Sequence, residues 1–143
     1  MFVGRDTELK QLNRMYAKKG FQMAVVYGRR RVGKTTLINA FAKGKPTLYF
    51  TAQQRSSLQN LMQFSRAVYA FFDMPEDSGA FPDWRSVFSF IATMAERRGD
   101  DPFLFVFDEF PYAAETEPSL PSVLQIAIDH ELKKTNVRII LCG

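Results

Sequence analysis

Cysteine occurs once in the 143 residues, at Cys142. One thiol cannot close an internal disulfide, and no second one completes a zinc site, so a stapled secreted scaffold is excluded and a reducing, cytoplasmic compartment is expected. As a small apolar side chain, Cys142 is expected to be buried and structural. Histidine is equally scarce: His130 has no second ligand to share a metal with and reads as a satisfied or exposed side chain. No apolar run approaches the roughly 18 residues of a membrane span, and Met1-Phe2-Val3-Gly4-Arg5 lacks the apolar stretch of a signal peptide, so neither a membrane role nor export is expected. Glycine and proline number 8 and 7, too few for a biased composition, and no internal repeat appears. Negative charge is nearly missing from the first third. Residues 1–50 hold eleven Lys/Arg against two Asp/Glu, net +9, whereas residues 51–143 hold eight against thirteen, net −5. The imbalance points to anion handling in the N-terminal part, with nucleic acid and a nucleotide's phosphate chain as the candidate anions.

With 46% hydrophobic and 14% aromatic residues, the chain has ample material for a core and reads as one domain over 1–143 without a linker. Helix and strand patterns alternate, which argues an α/β fold with a mostly parallel sheet. Asp6 or Thr7 caps a helix with Leu9, Leu12, Met15 and Tyr16 on one face, closed by Gly20. Phe21 to Tyr27 is near-continuously apolar and reads as a strand buried on both faces. A helix from Thr36 to Lys43 and a strand over Thr47–Thr51 follow. Ser56 or Ser57 opens a helix with Leu58, Leu61, Met62, Val68 and Phe72 on one side. Asp83 caps another bearing Trp84, Val87, Phe88, Ile91 and Met94, an aromatic stripe that reads as core. Phe103 to Phe107 is the most apolar strand of all. A Pro-containing loop, a helix from Pro121 or Ser122 through Val123, Ile126, Ala127 and His130, and a strand over Val137–Leu141 complete the pattern.

Between the first strand and the helix after it stands Gly28-Arg29-Arg30-Arg31-Val32-Gly33-Lys34-Thr35, which matches G-x-x-x-x-G-K-[ST] in the strand-to-helix setting that gives the motif its meaning. Glycines let the backbone curl so that successive N–H groups converge, and the following helix adds its positive end, making a concave anion site from Gly28 to Thr36. Lys34 supplies a point charge to the β and γ phosphates, and Thr35 a hydroxyl to Mg²⁺. Three consecutive side chains on a loop diverge, so most of Arg29, Arg30 and Arg31 are expected in solvent.

The second constellation is Asp108-Glu109, directly after the most apolar strand. In open parallel sheets, ligands bind beyond the carboxyl ends of the strands, so this pair and the glycine-rich loop are expected on one rim. Asp108 suits Mg²⁺, directly or through water. Glu109 suits the activation of a water that attacks the γ-phosphate, which favours hydrolysis over transfer to an acceptor hydroxyl.

These residues give the chain a resemblance to the archaeal-type ATPase family of P-loop NTPases, related to the AAA+ and STAND groups. It is carried by Phe2-Val3-Gly4-Arg5 with Glu8-Leu9, by the loop at 28–35, by Phe107-Asp108-Glu109-Phe110-Pro111-Tyr112, and by Ile139-Ile140-Leu141-Cys142-Gly143. The resemblance implies an ATP and Mg²⁺ site with Lys34, Asp108 and Glu109 catalytic, and puts Val3, Gly4 and Arg5 near the adenine. It also implies a three-layer sandwich with strand order 1-4-3-2, a fifth strand lying beside the first. The chain departs from the family beyond Gly143, where relatives continue with a γ-phosphate sensor, the fifth strand and a helical lid. The domain is therefore expected to be incomplete at its C-terminal end, with an exposed first-strand edge prone to self-association and a slowed turnover. The alternative reading is a nucleotide-gated switch that orders a surface for a protein partner with little hydrolysis. DNA binding ranks last, because no helix presents a clustered basic face. No Asn-Lys-x-Asp guanine reader is present, so the base stays open.

Overall fold

The computed structural model describes residues 6–27, 33–75 and 79–143. In chain order the elements are α1 (Asp6–Ala17), β1 (Gln22–Val26), α2 (Lys34–Ala42), β2 (Thr47–Thr51), α3 (Ser57–Phe71), α4 (Trp84–Arg97), β3 (Phe103–Asp108), α5 (Phe110–Thr116), α6 (Leu120–His130), a single 3-10 turn at Leu132–Lys134, and β4 (Val137–Cys142). The four strands form one parallel sheet in the order β1-β4-β3-β2. The expected fold class and strand order are therefore correct, and α2 follows β1, an outer strand of this sheet.

Period-two alternation along β3 divides the core into two. Leu104, Val106 and, from β4, Ile140 and Cys142 face α1 and α2, meeting Leu12, Leu37, Ile38 and Phe41. Phe103, Phe105, Phe107, Val137 and Ile139 face α3, α4 and α6. Every residue of β3 is buried, as a central strand covered by helices on both faces should be. The heavier half is aromatic. Phe64 sits against Phe50, Trp84, Phe88, Phe105 and Phe107 with ring centroids 5.0–6.1 Å away, combining stacked and tilted contacts.

Helix starts follow the side chains present. Ser56 closes a reciprocal capping box with Gln59 at the head of α3, and the Asp83 carboxylate accepts the Ser86 N–H at 2.7 Å at the head of α4. At its other end, α1 leaves carbonyls without helical partners. The buried Arg138 of β4 answers them: Nε donates to the Tyr16 carbonyl at 3.0 Å, and the guanidinium also donates to the Lys18 and Asn136 carbonyls.

Four expectations need correction. β1 is not buried on both faces: Met23, Val25 and Tyr27 are exposed, because α1 and α2 cover only the Ala24 and Val26 side at this edge of the sheet. In α3, Leu58 and Met62 point outward, while Leu61, Phe64, Ser65 and Val68 face the core. Ser65 is tolerated there because its hydroxyl donates to the Leu61 carbonyl and accepts the Phe81 N–H. Ile126 of α6 is likewise exposed. The segment read as a Pro-containing loop holds α5, whose Pro111 lies in the first turn, where its missing N–H costs no helical bond. Cys142 is buried and His130 exposed, as expected.

Candidate functional site

The carboxyl ends of the strands share one rim, and parallel pairing brings Val26 beside Cys142 and Thr51 beside Asp108. The chain enters α2 through Gly33, whose φ of 85° lies in the left-handed region that favours glycine. Among the described residues no side chain caps this helix, and its first turn carries no acidic residue, so its positive end is open to an anion. Its first residue, Lys34, is 3% exposed. An ammonium buried to that degree has to be paired. The Nζ lies 3.8 Å from Asp108 Oδ1 and 3.7 Å from Glu109 Oε1, so the lysine of the glycine-rich motif and both residues of the acidic pair meet. Thr35 and Thr36, next on α2, are exposed.

Asp108 ends β3 on the α2 side of the sheet and is 7% exposed. Two donors hold its carboxylate: the Glu109 N–H reaches Oδ1 at 2.9 Å, and the Tyr49 hydroxyl reaches Oδ2 at 3.2 Å. Glu109 itself has φ 54° and ψ 39°, a left-handed conformation that is uncommon for a side chain with a Cβ. That turn swings the chain from β3 into α5, and places the Glu109 carboxylate beside the Lys34 ammonium. Gly143, just past β4, donates its N–H to the Val26 carbonyl at 3.2 Å, and a Cβ there would stand 2.5 Å from Pro111 Cδ, so only glycine lets β4 pass the start of α5.

The site is electrostatically dense. Burial, and then the neighbouring Asp108 carboxylate, push the Tyr49 phenol well above its usual value. The same two causes in the same order raise the Cys142 thiol to about 12, which makes it an inert core residue. Among the described residues, no three His, Cys, Asp or Glu side chains form a cluster fit to hold a metal by themselves. The donors at hand are the Asp108 carboxylate and the Thr35 hydroxyl, a sparse oxygen set of the kind Mg²⁺ accepts when phosphate and water complete its shell.

Of the residues singled out from sequence, Gly33, Lys34, Thr35, Thr36, Asp108 and Glu109 belong to this rim. Gly28, Arg29, Arg30, Arg31 and Val32, and also Val3, Gly4 and Arg5, lie outside the described residues. Tyr49 was not foreseen. Nothing in Thr47-Leu48-Tyr49-Phe50-Thr51 distinguishes its tyrosine from a core aromatic until the β2–β3 register sets it near Asp108.

Over its full length the chain is 29% identical to the uncharacterized protein MJECL04 of Methanocaldococcus jannaschii, spanning 29% of that relative's length. A 45-residue stretch, 32% of the chain, is 47% identical to the uncharacterized ATP-binding protein MJ0423 of the same organism and covers 76% of it. No described helix is long and apolar enough to cross a membrane. A family described as an ATPase domain predominantly from Archaea matches residues 2–143, and the chain belongs to that family.

Proposed function

We propose that the chain binds a magnesium nucleoside triphosphate, ATP in the first instance, and catalyses hydrolysis of its γ-phosphate. The observation that carries this reading is the convergence of Lys34 with Asp108 and Glu109 within 3.8 Å on the rim where α2 begins. In this reading the ammonium of Lys34, held on the two carboxylates, exchanges that pairing for the β and γ phosphates of the ligand. The uncapped N–H groups of α2 and the backbone of Gly28 to Gly33 receive the phosphate oxygens. Thr35 and Asp108 would hold Mg²⁺, which would neutralise phosphate charge. Glu109 accepts a proton from the attacking water, and its turn at the end of β3 keeps that carboxylate next to the Asp108 position. Val3, Gly4 and Arg5 contact the base, and the domain works within a longer, soluble cytoplasmic protein that engages a protein partner.

The test is a pair of substitutions with different outcomes. Lys34→Ala should abolish the thermal stabilisation by ATP and Mg²⁺, which for a hundredfold excess over Kd amounts to about 2.7 kcal/mol. Glu109→Gln should keep that stabilisation and lose single-turnover hydrolysis by at least about 10²-fold, the usual contribution of a positioned base. Unchanged nucleotide affinity in Lys34→Ala would remove the basis of the reading.

A further inference from the structure

We infer that the open edge of β2 is a docking site for an extended, acidic peptide segment of a partner protein, which adds to the sheet as a further strand. β3 is the one strand hydrogen-bonded to β2 among the described residues. The Leu104 N–H donates to the Pro46 carbonyl and the Ala52 N–H to the Asp108 carbonyl, so the even-numbered residues of β2 bond to β3. By the alternation of a parallel ladder, the main-chain groups of Thr47, Tyr49 and Thr51 then point away from the sheet. Those groups do not face open water over their whole length. A cleft of about 570 Å³ lies between the edge and α3, and a second of about 380 Å³ continues it toward Thr47, both sharing Tyr49, Ala67 and Ala70. The small side chains of Ala67 and Ala70 leave space for a strand between the edge and the helix, about 13 Å long from Thr47 to Thr51 at 3.3 Å per residue.

Charge decides what kind of strand. Arg55 and Arg66 flank the larger cleft with Gln53 and Gln63, and no carboxylate among the described residues lines either cleft. Both arginines are exposed, and neither forms an ion pair with a described residue. A strand's alternate side chains on the α3 side pass these guanidinium groups, so carboxylates at every second position answer them, with Arg the residue best suited to bidentate recognition. A second copy of the chain is a poor occupant, since its own groove brings the same two cations and, among the described residues, no acid. Docking here is independent of the nucleotide reading above and is testable without nucleotide.

The experiment is fluorescence anisotropy of a dye-labelled alternating Val-Glu hexapeptide titrated with the chain, beside an alternating Val-Lys peptide and a Val-Glu peptide N-methylated at every second residue. The Val-Glu peptide should bind with an affinity that falls as salt rises. Arg55→Glu with Arg66→Glu should weaken it at least tenfold and favour the Val-Lys peptide, and N-methylation should abolish binding. Ala70→Trp, which fills the groove from an exposed position, should weaken it without changing charge. Equal binding of the N-methylated peptide, equal binding by the charge-reversed variant, or absence of binding by the Val-Glu peptide overturns the proposal. So does light scattering that shows a dimer of the free chain dissociated by Ala70→Trp, because the edge is then occupied by a second copy.

Discussion

Replacing Tyr49 by Phe removes one oxygen and, with it, the hydrogen bond that the phenol donates to Asp108 Oδ2 at 3.2 Å. A hydrogen bond to a charged acceptor contributes about 1.5–3 kcal/mol, but this one is longer than the 2.5–2.7 Å of a strong O–H to carboxylate bond and Tyr49 is only half-buried, so about 1 kcal/mol is the appropriate figure. The ring stays, and Tyr49 keeps its packing against the α1 and α2 side of the sheet. The loss therefore falls on Asp108, which retains the Glu109 N–H on Oδ1 but no longer has Oδ2 restrained. If Asp108 serves the metal and Lys34 the phosphates, the substitution weakens ATP about fivefold when Mg²⁺ is present and by less than about twofold in excess EDTA. Calorimetric titration under the two conditions measures both numbers. An equal loss with and without Mg²⁺ would show that Tyr49 supports the phosphate loop or the fold at large, and that the separation of roles between Lys34 and Asp108 is wrong.

Three further outcomes follow from the packing and the charges. Phe64→Ala, which empties a site ringed by five aromatic side chains, should destabilise the chain by about 3–5 kcal/mol in urea unfolding, and Phe64→Leu by less than half of that. Glu109→Gly and Glu109→Ala both delete the carboxylate, but only alanine keeps the left-handed backbone strain, so the glycine variant should be the more stable by about 1 kcal/mol; equal stabilities would mean that the turn holds no strain. Burial raises the Cys142 thiol from 9.0 to about 12, and a group whose folded pKa is raised contributes stability below its unfolded pKa and loses it as pH rises. Unfolding free energy should thus fall between about pH 9 and 12, by roughly 1.4 kcal/mol at pH 10, and Cys142→Ala should flatten that part of the curve.

What could be read from the sequence and what could not divide along a physical line. β3 and the paired motifs were legible because each is local: five apolar residues ending in two carboxylates can hardly serve except as a central strand meeting a rim, and a glycine-rich turn with a lysine needs its own helix. The strand order came from the family resemblance rather than from any periodicity. Where the reading failed, the deciding neighbour was remote in sequence. Phe21 to Tyr27 is apolar enough for a strand covered on both sides, yet whether helices cover Met23 and Val25 depends on where β1 sits in the sheet, and it sits at an edge. In α3 the apolar Leu58 and Met62 competed with Ser65 for the buried face, and Ser65 won because the Leu61 carbonyl and the Phe81 N–H satisfy its hydroxyl, a partnership spanning 16 residues. Pro111 is the local exception: it suggested a break because the first-turn exemption only applies once the helix is known to begin at Phe110, after the unusual left-handed turn at Glu109. Tyr49 combines both difficulties: its role exists only through a register that pairs Thr51 with Asp108, and no spacing within β2 encodes it. The same register sets Tyr49 with its hydroxyl on Asp108 and its main chain on the open groove. A strand added at that edge would accordingly meet the residue that orients Asp108, and the two sites share one tyrosine.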